Sequence, residues 1–267
     1  MLYRYFPTTL YNNISVTDIL KKLSFSDIFK QSNYVDIYKI KEGDTPESLA
    51  LYLYKNSNYS SLILLLNGME DRNNDWPYSY INMQNYLNRK YSGSSFYILD
   101  ENIDFEFEEA SYIIGNTNTY QVLSTDRNFN KIVCEKINQG NLSSGDTIQV
   151  YDADDVLLST VVIGRVVYED KFSIHHFEVD GEYYEPKEEV VGEDSTLIEQ
   201  YIAGDAEEYV ITNMNYENNL NDDKRDIILF RPEVIDDVIN QLRLVSENDI
   251  IGQNILDSEL PYGDRLG

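Results

Sequence analysis

A short stretch near the start of the chain, YKIKEGDTPESLA at positions 38–50, decides the local fold. Residues 37–41 combine apolar and lysine side chains, which predicts a short strand. The Glu-Gly-Asp turn that follows leads to Thr45, a side chain suited to cap the first turn of a helix. Pro46 then takes the first helical position, where its missing N–H costs nothing. The stretch therefore predicts a strand, a turn and a helix.

The residues that follow predict a second helix packed on the first. Leu49, Ala50 and Leu53 give the first helix one buried face. The second helix, Ser60 to Asn67, is apolar around most of its circumference, so we expect it to be buried. Gly68 stands where a left-handed C-terminal cap is expected. The order is strand, turn, helix, loop and helix.

Two less regular segments flank this unit. Residues 1–35 predict an N-terminal arm. Residues 69–93 are polar and aromatic around the sequence Asp75-Trp76-Pro77, with a helix expected around Met83 to Leu87. The strand–helix–helix unit and the segment that follows it are taken together as one domain, residues 36–93.

Residues 94–180 change to the alternation that is typical of strands. Ile103, Phe105 and Phe107 alternate with acidic residues, and glycines separate the later candidates. Those candidates are Tyr112–Ile114, Lys131–Ile137, Thr147–Tyr151, Leu157–Val167 and Ile174–Val179. Several short strands with turn signals predict a small antiparallel β-barrel or sandwich.

Residues 181–267 predict an acidic connector followed by a strand and a helix. The stretch 178–208 is rich in Asp and Glu, has Lys187 as its one basic residue, and lacks a clear helical pattern. A strand is expected at residues 227–230, and Pro232 starts a helix with apolar positions at 234, 235, 238, 239 and 242. The fold class expected for the whole chain is α+β.

The charge of the chain excludes several classes of partner. The 267 residues carry a formal charge of −26, from 47 acidic and 21 basic residues. Nucleic-acid backbones and anionic membrane surfaces would repel such a protein, so neither is an expected partner. The acidic surplus fits either solubility before assembly or a cationic partner surface. The 23 tyrosines fit either interfaces or small cores.

Cellular location can also be inferred. The segment after Arg4 has no continuous apolar run, so no signal peptide is expected. The longest aliphatic run, Leu62 to Leu66, is far shorter than the roughly 20 residues that span a bilayer. Cys134 is the only cysteine, which rules out an intrachain disulfide. We expect synthesis and folding in a cytoplasm.

Residues with catalytic or metal-binding chemistry are few. His175 and His176 are the only histidines, and neighbours on a strand point to opposite faces, which disfavours a shared metal. The sequence at 152–155, DADD, has the start of a calcium loop but lacks its glycine and its final glutamate, so a hairpin turn is expected. We expect neither an enzyme nor a cofactor.

Residues 38–68 resemble a LysM module. The residues that carry the resemblance are Tyr38, Gly43, Asp44, Thr45, Pro46, Asn67 and Gly68. LysM modules have a βααβ fold that often binds N-acetylglucosamine polymers. The usual closing strand, of the type Gly-Gln-x-Leu-x-Ile, is not evident after Gly68. Tyr38, Asp44, Thr45 and Asn67 therefore serve either a ligand groove or the turn, the cap and the helix end.

The longer layout resembles the baseplate wedge protein 53 family of T-even-like contractile-tailed phages. It combines an aromatic start, the LysM-like unit, the Asp-Trp-Pro sequence at 75–77 and the late segment NDDKRDIIL at 221–229. The similarity covers residues 1–92 and about 215–245, and the middle β region looks like an insertion.

The resemblance implies a structural subunit that joins wedge proteins and ties neighbouring wedges around the tail hub. The implied location is the virion tail baseplate, assembled in the host cytoplasm, with several copies in the ring. Candidate interface residues are Tyr5, Phe6, Trp76, Pro77, Tyr80, Lys224 and Arg225. The alternative is a peptidoglycan-binding LysM protein of a cell-wall or lytic complex.

Overall fold

The computed structural model describes residues 8–11, 14–17, 34–99, 110–116, 118–137, 141–185 and 195–240, the first two ranges by backbone alone. They form helices and antiparallel sheets in two compact units, which confirms the expected mixture of elements. We call residues up to Tyr80 together with those from Asn221 onward the split unit, and Ile81–Leu220 the barrel unit.

The elements follow one another in this order: β1 (Thr8–Tyr11), β2 (Ile14–Thr17), β3 (Val35–Lys39), α1 (Pro46–Tyr54), α2 (Ser60–Leu66), α3 (Arg72–Asp75), α4 (Tyr80–Lys90), β4 (Ser94–Ile98), β5 (Tyr112–Gly115), β6 (Asn118–Asp126), β7 (Lys131–Lys136), β8 (Thr147–Tyr151), β9 (Leu157–Val167), β10 (Ile174–Val179), β11 (Glu182–Tyr184), α5 (Leu197–Ala203), β12 (Val210–Thr212), α6 (Asn213–Asp223), β13 (Asp226–Phe230) and the helical residues 235–240 as α7. Short 3₁₀ turns lie at Ser57–Tyr59, Asp170–Phe172, Glu207–Tyr209 and Pro232–Val234.

The split unit is closed by a strand from far along the chain. β3 pairs antiparallel with β13, with Ile37 opposite Ile228 and Tyr38 opposite Ile227. Its core combines β13 and α7 side chains with those of α1 and α2. The expected strand near 37–41, both helices and the later strand are present. β1 and β2 form an antiparallel hairpin within the expected arm.

The barrel unit contains a closed six-stranded antiparallel barrel, one of the two expected architectures. Its strand order is β4-β7-β6-β5-β8-β9, with β9 returning to β4. The interior is filled by side chains, including Phe96, Ile113 and Ile148, each at most 1% exposed. The barrel therefore has a packed core. The expected alternating strand at 103–108 lies outside the described residues.

The expectation of an extended acidic connector over 178–208 is wrong for its described part. β11 pairs with β10, and α5 packs Leu197, Ile198 and Tyr201 into a second core of the barrel unit. The Thr196 hydroxyl accepts from the Glu199 N–H, and the Glu199 carboxylate accepts from the Thr196 N–H. An acidic residue in the first turn stabilises a helix. A count of acidic residues therefore cannot distinguish such a helix start from an extended acidic connector.

No helix in the described part of the chain is both long and apolar enough to cross a membrane. The expected C-terminal helix is present over 235–240, and its expected apolar position 242 lies outside the described residues.

Candidate functional site

The turn between β3 and α1 is organised by Asp44. The carboxylate Oδ2 of Asp44 accepts hydrogen bonds from the Tyr38 hydroxyl at 2.7 Å and from the Lys41 N–H at 2.8 Å. Asp44 N–H donates to the Lys41 carbonyl at 3.0 Å, and Gly43 supplies the positive φ of 87°. Burial and then the bond to Asp44 raise the pKa of Tyr38 to about 12, so its phenol stays neutral.

The start of α1 carries the expected cap. The Thr45 hydroxyl accepts from the Ser48 N–H at 3.1 Å, and the Ser48 hydroxyl accepts from the Thr45 N–H at 2.9 Å. Pro46 is buried at the first helical position. This reciprocal arrangement satisfies two N–H groups that a helix start would otherwise leave unpaired.

Trp76 and Pro77 belong to the interior of the split unit. Trp76 is 8% exposed, and its indole N–H donates to the Asp44 carbonyl at 3.1 Å. Pro77 is buried beside it in sequence. The Trp76 ring therefore packs in the core and helps to hold the Asp44 turn.

The end of α2 holds the closing strand through one amide side chain. Asn67 donates from Nδ2 to the Ile228 carbonyl at 2.8 Å, and its Oδ1 accepts from the Ile228 N–H at 2.9 Å. The same Nδ2 also donates to the Ile63 carbonyl at 2.8 Å. The Asn67 side chain thus replaces a neighbouring strand at the outer edge of β13. Gly68 has the expected left-handed φ, 67°.

A second hydrogen bond covers the same edge of β13. The Tyr54 hydroxyl donates to the Phe230 carbonyl at 2.9 Å, and burial raises the Tyr54 pKa. Nothing in the sequence near Tyr54 or Asn67 signals these contacts, because both partners lie more than 150 residues away in the chain.

The basic residues that precede β13 are also bonded within the split unit. Lys224 Nζ donates to the Asn74 carbonyl at 2.7 Å. Arg225 pairs with Asp222 at 2.9 Å, lies 3.6 Å from Glu42, and is 17% exposed at its side chain. Asn221, which sequence reasoning missed, bonds both the N–H and the carbonyl of Tyr78.

The exposed apolar and aromatic side chains in the described part of the split unit are mostly residues other than the candidate interface residues. Ile37 is 83% exposed, Tyr52 73%, Tyr80 69% and Leu51 55%. Tyr80 is the only described candidate interface residue that is largely exposed, and its N–H donates to Glu42 at 2.9 Å. Tyr5 and Phe6 lie outside the described residues.

The two histidines lie together in the barrel unit, which corrects the expectation of opposite faces. A register shift in β10 between Ile174 and His176 places Nδ1 of His175 2.9 Å from Nδ1 of His176. Across the described ranges, no three His, Cys, Asp or Glu side chains are arranged to hold a metal ion. The sequence at 152–155 forms the expected hairpin turn between β8 and β9.

The polar groups of the Asp44 turn and of the Asn67 contact are hydrogen-bonded within the split unit. The Tyr38 hydroxyl, the Thr45 hydroxyl and the Asn67 amide all have partners inside the split unit. Groups already bonded in this way offer little to a polar ligand, because binding would first have to break those bonds.

Comparison with known proteins adds no relative to this description. No protein-family model matches the chain, and no curated protein matches it.

Proposed function

We propose that the chain is a structural subunit of a contractile phage tail baseplate, which joins wedge proteins and neighbouring wedges. Its mechanism is adhesion between subunits, with no chemistry of its own. The partners are other wedge proteins, with the tail hub as a further contact, and the location is the virion tail. The observation that carries the proposal is that two distant segments of the chain together form the split unit.

The split unit unites the two segments that carry the resemblance. Residues 38–68 and the late segment 221–229 are distant in the chain, yet β3 and β13 form one sheet over a common core. In support of the proposal, β3, α1, α2 and β13 give the order strand, helix, helix, strand, which is the order expected of a LysM-like module; on this proposal β13 takes the role of the closing strand. Most of the barrel unit, Ile81–Leu220, lies between the two stretches that carry the resemblance, residues 1–92 and about 215–245, as an insertion would.

The hydrogen bonds favour docking over glycan binding. Tyr38, Asp44, Thr45 and Asn67 are all used to hold the turn, the helix cap and the closing strand. Exposed apolar side chains at Ile37, Leu51, Tyr52 and Tyr80 supply contact area for protein partners instead.

The first test is deletion of the gene in the genome that encodes the chain, followed by electron microscopy of the particles produced. We expect loss of complete baseplates and recovery when the wild-type gene is supplied in trans. Normal tails after deletion would overturn the proposal, as would mass spectrometry that finds the chain absent from purified tail particles.

A surface variant sharpens this test. Replacement of Ile37, Leu51, Tyr52 and Tyr80 by serine removes exposed apolar area and leaves the core intact. We expect a folded protein that restores tail assembly at least tenfold less well than the wild type, since interface anchors of this kind are often worth about 2 kcal/mol each. The control changes the exposed Val156, Leu157 and Tyr168 of the barrel unit to serine. Wild-type recovery by the four-serine variant would contradict docking through this surface.

Glycan binding is the competing function, and it has a direct assay. Titration of the purified chain with N-acetylglucosamine oligomers, followed by calorimetry, should show no saturable heat. Saturable binding that is lost on Asp44→Ala would favour the peptidoglycan-binding alternative.

A further inference from the structure

The only two histidines of the chain form one hydrogen-bonded pair in the barrel unit. Their Nδ1 atoms lie 2.9 Å apart, and Nε2 of His176 lies 2.8 Å from the carboxylate of Glu178. The ring of His175 stacks on Tyr216 of α6, with centroids 3.7 Å apart and planes 12° apart. The pair therefore joins the irregular part of β10 to α6.

Proton counting limits which charge states fit this geometry. Glu178 accepts from the N–H of His176 Nε2, so the remaining protons are distributed over the two facing Nδ1 atoms and Nε2 of His175. A hydrogen bond between the two Nδ1 atoms needs one N–H and one lone pair. The neutral pair and the singly charged pair both satisfy this requirement. The doubly charged pair places two N–H groups against each other and breaks the contact.

Several charged groups act on His175. Burial, and then the nearby His176, lower the pKa of His175; Lys131 of β7 and Lys90 of α4 act in the same direction, and Glu217 of α6 opposes them. His176 is bordered by Glu178 of its own strand, Tyr183 of β11 and Tyr216. Protonation of His175 in the folded state therefore requires a pH below the ordinary histidine pKa of about 6.5.

We propose that the His175–His176 pair is a pH-sensitive switch that holds β10 against α6 while it carries at most one extra proton and releases that contact when both imidazoles are charged. This switch lies within the barrel unit and does not depend on the proposed role in baseplate assembly.

The direction of the pH dependence follows from proton binding. Because the folded state holds the pKa of His175 below its unfolded value, the unfolded state binds more protons below about pH 6.5. The contribution to stability is complete above that pH. It falls as the pH decreases toward the folded pKa and is constant below it.

The first experiment is a titration of the full chain followed by NMR with carbon-13 in the histidine rings. Only two imidazoles are present, and single substitutions assign them. We expect two separate protonation steps, with the lower step accompanied by loss of the contact between His175 and Tyr216. Two imidazoles that titrate independently near the ordinary pKa, with the Tyr216 contact unchanged, would overturn the proposal.

The second experiment measures amide exchange of β10 at pH 7.5 and pH 5, corrected for intrinsic exchange. We expect the wild type to lose more than twofold in protection, because the unfolded state binds more protons than the folded state below the ordinary histidine pKa. His175→Phe keeps a ring on Tyr216 and cannot be protonated, so it should lose less than twofold. The β8 strand of the barrel serves as an internal control. Equal loss of protection in the wild type and His175→Phe would assign the pH effect elsewhere and refute the switch.

Discussion

The two units solve the same problem of unpaired strand edges in different ways. In the barrel unit, six strands close on themselves, so each has two neighbours. In the split unit, a sheet of only two strands leaves the outer edge of β13 open to side chains, and Asn67 and Tyr54 bond it. In the barrel, many backbone hydrogen bonds satisfy the strand edges. In the split unit, the outer edge of β13 depends on the side chains of a few residues. The split unit should therefore be the more sensitive to single polar substitutions.

The largest expected effect is loss of the split unit when a charge enters its core. Leu229 of β13 is 3% exposed, and Leu229→Asp would bury a carboxylate among apolar side chains at a cost of several kcal/mol. Amide exchange should show α1 and α2 unprotected while β8 and β9 keep their protection. The control, Asp226→Ala at an exposed site on the same strand, should change stability by less than about 0.5 kcal/mol. Loss of protection in β8 and β9 as well would contradict an effect confined to the split unit.

The matching change in the barrel unit is Phe96→Ala. Phe96 is 1% exposed and packs edge-on against Tyr120, with ring centroids 5.6 Å apart. We expect about 3–5 kcal/mol of destabilisation. The buried thiol of Cys134, whose pKa is raised by burial, should then react faster with a thiol reagent. Phe172→Ala, at a ring 42% exposed, is the control and should leave the thiol rate near wild type.

The sequence predicted local features far better than pairings. The Thr45 cap, the Gly68 helix end and the strands β8, β9 and β10 were all visible, because each depends on neighbouring residues. The partner of β3 could not be predicted, because the sequence of a strand does not specify which distant segment pairs with it. The sequence predicts the strand at 227–230, but only the structure shows that this strand pairs with β3.

Helix α6 shows another limit of pattern reading. Its sequence NMNYENNLNDD has few apolar residues, and asparagine is a poor helix former. The buried positions Asn213, Glu217 and Asn221 are four residues apart, so the helix buries a polar face. Hydrogen bonds, including those from Asn213 to Asp170 and from Lys90 to Glu217, stabilise that face in place of apolar packing. A search for apolar periodicity cannot detect such a helix.

A smaller effect should follow from removal of the amide that bonds β13. Asn67→Ala leaves the N–H and the carbonyl of Ile228 without their side-chain partner, at a cost of about 2 kcal/mol. Chemical denaturation should show a lower midpoint for the split unit alone. Asn58→Ala, at an exposed asparagine just before α2, is the control and should be close to neutral. An unchanged midpoint for Asn67→Ala would mean that β13 is held by its core side chains and its pairing with β3, without a contribution from the amide.

The smallest effect concerns the acid sensitivity of the barrel unit. Burial alone would raise the pKa of Glu217, but hydrogen bonds from Lys90 and Tyr91 outweigh it and lower that pKa below the ordinary value. The resulting stability is present above the ordinary pKa of about 4.3 and is lost as the pH falls through the lower folded value.

Glu217→Gln should therefore reduce stability by about 1–2 kcal/mol at pH 7 and reduce the loss between pH 5 and pH 3. The measurement is thermal unfolding across that range. Glu169→Gln is the control, because Glu169 is 60% exposed in its pair with Lys171. A pH profile identical to that of the wild type would show that Glu217 does not gain its charge stability from this network.

The most direct test of the central claim is a disulfide between β3 and β13. Ile37 and Ile228 are directly opposite, and neighbouring pairs carry the ladder bonds, so this position suits a disulfide. In the Ile37→Cys/Ile228→Cys variant, mass spectrometry without reductant should find the two positions linked in nearly every molecule, with Cys134 still free and buried. Absence of this link would contradict the pairing of β3 with β13 that closes the split unit. Equally efficient linkage in the Ile37→Cys/Phe230→Cys variant would contradict the register of that pairing.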